Sequence, residues 1–553
     1  MAELTDTLDA ELARRAAGAG DALAYLQKRH GIWQRLCWRD AEARVGEMAA
    51  GLRAAGLQPG EAVGVVSGAR VEAVLAVLAC QRARLVPVLL NPALPPGGVA
   101  NQAQQAGVVA FVAEDQEQVD KIADMQTRLD GLRAVWVIDP KGTRGYQHLR
   151  VRPLSTLDAT PALAPEAAAT PPPAVVLFSA GVFGEPRCVP VSQATLRRQV
   201  AARAPLGLRD GERCVSLFGL ADPIGHFHAV VAPVLLGTVA CFGEDRLPGV
   251  PEMRQCAPQV VAIPARLLDR LRRETAARAS RAGGWRRALI QRWSARERPG
   301  ALLRTLVGRP VADALGLGAC RAVLTGYERM APASARFLAR LGIDTRGLYA
   351  LAEAAGPVAV FAQAAEPALK VFEPYAPAIG ADGRLVVTVD GTAVATGDLV
   401  HLQGGELHLV GRAADLLTLP DGTHLAPATV EAELMTSPYI NQAVAVGGPA
   451  TGVTALVELD EVTLRDWARG HGLAYTTLRS YAESTEVRRL VDAAVAEANQ
   501  RLPQAARIVR AVLLPRALEA ANGELTPALA LRRAIVRNRY AQRLLAGAGG
   551  ATP

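Results

Sequence analysis

The sequence has few cysteines, no long hydrophobic run and no export signal. Its seven cysteines are odd in number and include no C-x-x-C pair, which excludes a disulfide framework and a zinc site of the usual spacing. The longest apolar run, AVVAPVLLGTVACFG at 229–243, is too short to cross a bilayer and contains a proline and two glycines. The opening MAELTDTLDAELARR carries acidic residues and lacks the apolar core of a signal peptide. We therefore expect a cytoplasmic protein with reduced thiols and no transmembrane segment.

The chain is long and moderately basic. Its 553 residues, 50% hydrophobic and 21% charged, have the composition of a globular protein and are enough for two or more domains. A net charge of +8 is compatible with a nucleic acid or an anionic membrane as partner. The arginines are scattered, however, and dense stretches such as 266–293 fit the solvated face of a helix at least as well as a binding stripe. Small anionic ligands are a milder explanation, so we expect no nucleic-acid partner.

Short apolar runs alternate with helical patterns through the first part of the chain. AVGVVSG at 62–68 reads as a buried strand, and the helical pattern VEAVLAVLACQRA is followed by the strand-like LVPVLL. VVAFVAE and AVWVID continue the series, which predicts parallel βαβ layers. Residues 157–173 form a Pro/Ala-rich connector without apolar period.

The pattern changes towards the C-terminus. After residue 380, DGRLVVTVDG and GGELHLVGR predict glycine-punctuated antiparallel hairpins. The last part mixes helices such as EVRRLVDAAVAEANQRL with strands such as QAVAVG, which predicts a separate small α+β unit. We predict an α/β fold with a large multi-layer N-terminal domain, 1–411, and a small C-terminal domain, 412–553.

A glycine-containing loop, LFSAGVFGEPRCVPVS at 177–192, follows the apolar run AVVLF. Two glycines three apart after a strand are compatible with a phosphate-binding loop, but any tight turn needs glycine as well. The spacing is not that of the G-x-x-x-x-G-K-[ST] loop. From these residues alone, an ordinary turn is favoured over a nucleotide site.

Four further motifs follow this loop in a fixed order. They are GLYALAEAAGPVAV (347–360), TGDLV (396–400), GRAADLLTLPDGTHLAPATVEAEL (411–434) and NGELTPALALRR (522–533). In identity, order and approximate spacing, the series resembles the adenylate-forming (AMP-binding) superfamily, most of all the long-chain acyl-CoA synthetases. The resemblance implies a fold of that type with a mobile C-terminal domain. It also implies a two-step ligase that uses ATP and Mg²⁺ to form an acyl-adenylate and then transfers the acyl group to coenzyme A.

The resemblance assigns the loop to the polyphosphate of ATP. Ser179, Gly181 and Gly184 fall on nucleotide-binding positions of the family pattern, and Arg187 replaces the family's lysine as the catalytic cation. Three of the four family hydroxyls are absent, and Phe183 adds bulk where phosphate should lie. The backbone pattern is therefore kept, whereas the side chains are poorly suited to phosphate.

The nucleoside positions are better preserved. Tyr349 and Glu353 match the family's Y-G-x-T-E motif, whose threonine is replaced by Ala352. The resemblance makes Glu353 a catalytic residue and magnesium ligand, with an ordinary surface acid as the alternative. Asp398 and Arg412 match the residues that face the ribose.

Two departures from the family pattern affect positions that the family uses in its catalytic cycle. The lysine that the family uses to bridge acid and ATP during adenylation falls on Ala530, and the domain-rotation hinge falls on Ala414, with Asp415 next to it. Arg532 and Arg533 lie close in sequence, but a shift of two residues along a strand moves a side chain by about 7 Å, which is too far for easy replacement.

The adenine side also departs from the family pattern. TGYERMAP at 325–332 stands where relatives have a turn of small residues, so Tyr327 and Glu328 must point away or the pocket is remodelled. Asp222 replaces the histidine of a common L-A-H stretch, and neither nearby histidine is secured by a motif.

Three other side chains allow a functional and a structural interpretation. His226 and His228 are two residues apart without an acidic or cysteine partner nearby, so buried packing is favoured over metal binding. Cys188 could be a reactive thiol beside Arg187, but a small residue in a glycine position is the simpler explanation.

We therefore expect an acyl-CoA synthetase-like protein whose adenylation is weak or lost. The alternative is a non-catalytic relative that binds an acyl group, AMP or coenzyme A or regulates a partner protein. A third variant retains only the thioester half-reaction, which does not need the missing lysine. The expected partners are a small carboxylic acid or acyl-CoA, and the arginine-rich surface permits a homodimer.

Overall fold

The computed structural model describes most of the chain. The described residues are 7–129, 131–143, 145–146, 149–158, 161–165, 171–179, 186–245, 248–280, 283–328, 330–361, 367–448, 451–473, 477–520, 522–526 and 530–542. The predicted site residues Gly181 and Gly184 lie outside them, as do Phe183 and part of the Pro/Ala-rich connector.

The described residues form twenty-five strands. They are β1 (Leu23–Arg29), β2 (Ile32–Cys37), β3 (Ala62–Val66), β4 (Val86–Leu90), β5 (Val108–Ala113), β6 (Ala134–Val137), β7 (Val151–Pro153), β8 (Val175–Phe178), β9 (Cys188–Val191), β10 (Arg213–Ser216), β11 (Val239–Phe242), β12 (Val260–Ala262), β13 (Ala322–Gly326), β14 (Asp344–Leu351), β15 (Gly356–Phe361), β16 (Ala368–Val371), β17 (Pro377–Ile379), β18 (Arg384–Val389), β19 (Thr392–Gln403), β20 (Glu406–Arg412), β21 (Leu417–Thr418), β22 (His424–Leu425), β23 (Ile440–Gly448), β24 (Gly452–Leu459) and β25 (Ile508–Leu513).

Twenty α-helical segments accompany the strands in the same residues. They are α1 (Leu8–Ala19), α2 (Trp38–Ala54), α3 (Val71–Arg82), α4 (Pro96–Gln105), α5 (Gln116–Asp124), α6 (Gln193–Arg198), α7 (Arg203–Leu206), α8 (Pro223–His226), α9 (Ala232–Leu236), α10 (Val250–Cys256), α11 (Ala265–Ser280), α12 (Gly284–Ser294), α13 (Ala301–Leu303), α14 (Arg309–Ala314), α15 (Pro332–Leu341), α16 (Pro427–Leu434), α17 (Glu461–Gly470), α18 (Leu478–Glu483), α19 (Thr485–Arg501) and α20 (Arg533–Arg539). None of the helices described is long and apolar enough to cross a membrane.

Two large sheets organise the N-terminal part. The first has seven strands in the order β7-β6-β5-β3-β4-β8-β9, and all neighbours are parallel except β8 and β9. The second has thirteen strands in the order β17-β18-β19-β20-β16-β15-β14-β13-β12-β10-β11-β1-β2. In α3 every residue except Glu72 is buried, as expected for a helix enclosed on all sides. Its side chains share one core cluster with residues of both sheets, which gives the predicted layered α/β arrangement.

The C-terminal part has its own small sheet. Strands β23 and β24 are antiparallel, and β25 adds in parallel to β24. Helices α16 and α19 share one core with this sheet, and a second cluster includes Leu525, Leu531 and Val536. The predicted small α+β unit is therefore present. The placement of the boundary between residues 411 and 412 stays a prediction.

Candidate functional site

The strands that flank the glycine-containing loop form a hairpin. Cα pairing runs from Val175 opposite Val191 to Phe178 opposite Cys188. At the neck, the Ser179 amide donates to the Arg187 carbonyl at 3.0 Å, and the Arg187 amide donates to Ser179 Oγ at 2.9 Å. The guanidinium of Arg187 is exposed. The Ser179 hydroxyl therefore closes the neck, while its own proton stays available to a ligand.

Glu353 lies beside this neck. It occupies the short 3₁₀ turn Ala352–Ala354, which contacts both β8 and β9. The turn ends at Ala355, whose left-handed backbone (φ 47°) reverses the chain into β15. Glu353 is partly buried. The fold thus brings the elements that carry the predicted magnesium ligand and the predicted polyphosphate loop together.

Tyr349, Asp398 and Arg412 form one hydrogen-bonded cluster. The Tyr349 hydroxyl donates to Asp398 Oδ2 at 2.5 Å, and Arg412 Nε lies 3.4 Å from Asp398 Oδ1. Asp398 and Arg412 are direct Cα partners in the β19–β20 ladder, which fixes their approach. Only 7% of Asp398 is exposed. Burial raises the pKa of Asp398, and the Arg412 charge and the Tyr349 hydroxyl oppose that rise.

Tyr327 and Glu328 each have a side-chain partner. The Tyr327 hydroxyl donates to Asp222 Oδ2 at 2.7 Å, and its ring meets Phe218 edge-on at 5.8 Å between centroids. Its backbone is left-handed (φ 68°), an uncommon conformation for a bulky side chain. Glu328 forms a two-pronged ion pair with Arg266 at 2.8 Å.

Asp222 explains why Tyr327 is held there. Its carboxylate accepts the amides of Ile224 and Gly225 at the start of α8 as well as the Tyr327 hydroxyl. Burial raises the pKa of Asp222 to about 6 against these hydrogen bonds, so the phenol replaces part of the lost hydration. Sequence reasoning noted both departures but missed their contact. The sequence did contain one hint of this contact, since Asp222 and Tyr327 both depart from the same family pattern.

The predicted hinge residues lie in a 3₁₀ turn, Ala413–Asp415, directly after β20. Asp415 pairs with Arg533 at 3.5 Å, and Arg533 also forms a two-pronged ion pair with Glu431. Burial lowers the pKa of Arg533, but the Glu431 and Asp415 charges outweigh it and raise that pKa overall. Arg533 is thus engaged at the hinge turn, where it holds two carboxylates.

Comparison with known proteins decides the family. The profile of the AMP-binding enzyme family matches residues 12–411, and that of the AMP-binding enzyme C-terminal domain matches residues 414–546. The chain belongs to the AMP-binding enzyme family. The long-chain-fatty-acid–CoA ligase FadD15 of Mycobacterium bovis is 26% identical over 563 aligned positions, covering 94% of this chain and 93% of the relative. The prediction of an acyl-CoA synthetase-like protein is confirmed at the level of the family.

Solved structures of this family share the fold. The anthranilate CoA ligase AuaEII in complex with anthranoyl-AMP has a TM-score of 0.74 at 15% identity, covering 98% of both chains. The A-PCP didomain of the carboxylic acid reductase from Segniliparus rugosus, in complex with AMP, has a TM-score of 0.79 at 15% identity. The match covers 99% of this chain and 83% of that one. The predicted fold class is confirmed.

Ala530, which the motif comparison predicts to stand at the position of the family's lysine, is held by local hydrogen bonds. The Thr526 amide donates to its carbonyl at 2.7 Å, its own amide donates to Thr526 Oγ1 at 3.0 Å, and Leu525 pairs with Leu531 beside it. Ala530 is partly buried. The sequence contains no lysine after Lys370, so the small domain holds no other lysine that could take this place.

The two histidines and Cys188 behave as buried groups. Burial lowers the pKa of His226 and of His228 to about 4, so both are neutral near neutral pH. Burial raises the pKa of the Cys188 thiol, which makes it a poor nucleophile. Within the described ranges, no group of three histidine, cysteine or acidic side chains could hold a metal ion. The structural interpretation of these residues is therefore the better one.

Proposed function

We propose that the protein is an acyl-CoA synthetase-like ligase with weak adenylation. It would use ATP to activate a carboxylic acid and pass the acyl group to coenzyme A. The observation that carries this proposal is the Tyr349–Asp398–Arg412 cluster, which is intact, centred on the buried Asp398 and carried by strands next to the predicted domain hinge. The names of the sequence relatives, long-chain-fatty-acid–CoA ligases, support a fatty acid as the substrate class.

The residues present fit the nucleoside half of ATP or AMP. Arg412 and Tyr349 hold Asp398 in place, and a carboxylate fixed in this way can accept hydrogen bonds from two ribose hydroxyls. Arg412 borders Tyr327 as well, since its charge acts on the Tyr327 hydroxyl. Tyr349, Asp398 and Arg412 would therefore orient the nucleoside before any chemistry takes place.

The residues present fit the polyphosphate half of ATP less well than the nucleoside half. Magnesium is usually held by one or two carboxylates together with substrate phosphates, so Glu353 alone is a sufficient protein ligand. Ser179 has one hydroxyl proton to donate, and the exposed Arg187 supplies a cation. Gly181 and Gly184 would add backbone amides. When bound, ATP would supply the adenylyl group that activates the acid, with pyrophosphate as the leaving group.

Ala530 is the reason for proposing weak adenylation. Its methyl group cannot bridge the acid and the nucleotide, and Arg533 is engaged by Glu431 and Asp415. Removing one preorganised donor to developing charge costs on the order of 10²–10³ in rate. The second half-reaction needs the small domain to rotate about Ala414 and Asp415, and that step does not depend on the lysine. We propose 412 as the first residue of the rotating domain.

The test is acid-dependent pyrophosphate release by the purified full chain over a panel of fatty and aromatic acids. We expect slow release by the wild type and a gain of about 10-fold to 100-fold for Ala530→Lys, because a cation is restored while the loop hydroxyls stay absent. Ala530→Met is the matched control, since it adds similar bulk without charge, and it should show no gain.

Absence of acid-dependent pyrophosphate from both the wild type and Ala530→Lys, with both folded, would overturn the adenylating ligase. Supplying an acyl-adenylate and coenzyme A then decides whether the thioester step alone survives. Thermal stabilisation by AMP or acyl-CoA without turnover would instead support the non-catalytic binding protein. The cytoplasmic location and the homodimer stay predictions.

A further inference from the structure

The outer surface of the helical segments α12 to α14 exposes large apolar side chains. Trp285 is 70% exposed, Leu302 71% and Leu306 53%. Leu302 and Leu306 are four residues apart on one continuous helical stretch and therefore lie on the same face. The stretch that carries both leucines contacts α12, which carries the tryptophan. Exposed apolar side chains grouped in this way mark an interaction surface.

The same stretch is strongly basic. Residues 283–314 contain seven arginines and two acidic residues, Glu297 and Asp313, a net charge of +5. We call residues 283–314 the basic apolar surface. Of these two acids, Asp313 pairs at 3.0 Å with Arg254 of α10, which lies outside this surface.

The arginines of the basic apolar surface lack carboxylate partners. In the part of the chain that the structure describes, this holds for Arg286, Arg287, Arg292, Arg304 and Arg309. The preceding helix, α11, is different, since Arg266 pairs with Glu328 and Arg270 with Glu274. The charge on α12 to α14 is therefore available to an external anion.

The inner face of these helices is firmly packed. Trp293, Leu303 and Val307 are buried, and the Trp293 ring meets Phe337 edge-on at 6.0 Å between centroids. The helices thus already have a core partner on one side. Trp285, Leu302 and Leu306 lie on the other side, where the Arg286 guanidinium stacks over the Trp285 ring at 5.6 Å from its centroid.

We propose that the basic apolar surface binds an anionic lipid bilayer. Tryptophan favours the membrane–water interface, leucine inserts into the acyl boundary, and guanidinium groups pair with lipid phosphates. A second copy of this chain is disfavoured as the occupant, because an isologous contact would place two strongly positive surfaces against each other. A nucleic acid would use the arginines but leaves the two leucines without a role. This inference does not depend on the proposed ligase activity.

The experiment is sedimentation of the full chain with vesicles of phosphatidylcholine mixed with phosphatidylglycerol, and with vesicles of phosphatidylcholine alone. We expect binding only to the anionic vesicles, and weaker binding as salt is raised. The variant Arg286→Gln/Arg287→Gln should lower the partition coefficient about fivefold per charge. The variant Trp285→Ser/Leu302→Ser/Leu306→Ser should lose binding.

The matched control is Leu402→Ser/Val509→Ser, which removes two apolar side chains that are 63% and 66% exposed on other elements and should bind as the wild type does. Thermal melts verify that all variants fold. The proposal is overturned if wild-type protein stays in the supernatant with anionic vesicles, or if the control variant loses as much binding as the Ser variant. It is also overturned if Arg286→Gln/Arg287→Gln weakens binding to a DNA duplex and leaves vesicle binding unchanged. The same holds if Trp285→Ser/Leu302→Ser/Leu306→Ser converts a dimer to a monomer in sedimentation velocity and leaves vesicle binding unchanged.

Discussion

At the residue scale, Asp222 and Tyr327 show how two departures from a family pattern offset each other. Each alone is unfavourable, since Asp222 is a carboxylate whose pKa burial raises to about 6 and Tyr327 has a left-handed backbone. Together they form a 2.7 Å hydrogen bond at the start of α8. Such a pair, 105 residues apart in sequence, becomes visible only once the fold places β13 against α8.

His228 carries a prediction about pH. Its ring is buried and neither nitrogen has a hydrogen-bond partner among the described residues, so burial lowers its pKa to about 4 from a usual 6.5. Between these two pKa values the His228 ring is protonated in the unfolded chain and neutral in the folded chain. The folded state therefore loses stability as the pH falls from the unfolded pKa towards the folded pKa. We expect this loss to be about 2 kcal/mol between about pH 7 and pH 5.

His228→Gln should remove this part of the pH dependence, because glutamine does not titrate. Urea unfolding at both pH values gives the free energy of unfolding for each protein. His424→Gln, at an exposed histidine, is the control for the change of residue type. Equal slopes for wild type and His228→Gln would show that His228 is not buried in its neutral form.

Four site residues could be predicted from the sequence only because their motifs occur in the family's order: Tyr349, Glu353, Asp398 and Arg412. Tyr349, Asp398 and Arg412 are grouped because β14, β19 and β20 lie in one sheet, whereas Glu353 lies beside β8 and β9. Two features could not be read in this way. The use of Ser179 Oγ at the hairpin neck and the engagement of Arg533 by Glu431 depend on side-chain positions that no local pattern encodes.

At the element scale, buried strands were predicted and one hairpin was not. AVGVVSG, LVPVLL and VVAFVAE became β3, β4 and β5 because continuous apolar runs between helices are typical of parallel strands. The N-terminal hairpin of β1 and β2 was missed. Its two-residue turn, His30–Gly31, was the local signal for the hairpin. The parallel pairing of β1 with β11, more than two hundred residues away, leaves no local signal.

Helix α11 of the large domain contacts the small domain through a buried ion pair. Arg273 Nε lies 3.1 Å from Asp460 Oδ2 of the small domain, and the guanidinium also donates to Asn441. Both charged side chains are less than a tenth exposed. Breaking a buried pair leaves an uncompensated charge, which makes this contact far more costly to disrupt than an exposed one.

We expect Arg273→Gln to lower the free energy of unfolding by about 3 kcal/mol. The same helix offers a matched control in Arg270→Gln, which breaks the exposed pair with Glu274 and should cost less than about 0.5 kcal/mol. Urea denaturation of the three proteins measures both values. A cost for Arg273→Gln no greater than that for Arg270→Gln would show that the domains are not fastened at this point.

At the scale of the whole molecule, the proposed nucleoside site lies where the large domain ends. Arg412 is both the last residue of β20 and the partner of Asp398, and the turn that carries the predicted hinge begins at the next residue. AMP bound there should stabilise the whole protein by about 2.7 kcal/mol when its concentration is a hundredfold above Kd.

Thermal unfolding with and without AMP measures this effect. Asp398→Asn should abolish the stabilisation, because the amide cannot hold Arg412 and accept two ribose hydroxyls as the carboxylate does. Asp382→Asn, an exposed acid on the neighbouring hairpin turn, should respond to AMP as the wild type does. A full response of Asp398→Asn to AMP would remove Asp398 from the site.

The position of Arg412 has a mechanical consequence in the proposed ligase. Movement of the small domain reaches the β19–β20 ladder through the backbone that follows Arg412, and Asp398 is the residue that pairs with Arg412 across that ladder. Because α11 also holds the small domain through Arg273 and Asp460, a rotation must break that contact as well. We therefore expect rotation of the small domain and the hold of Asp398 and Arg412 on the nucleotide to be coupled.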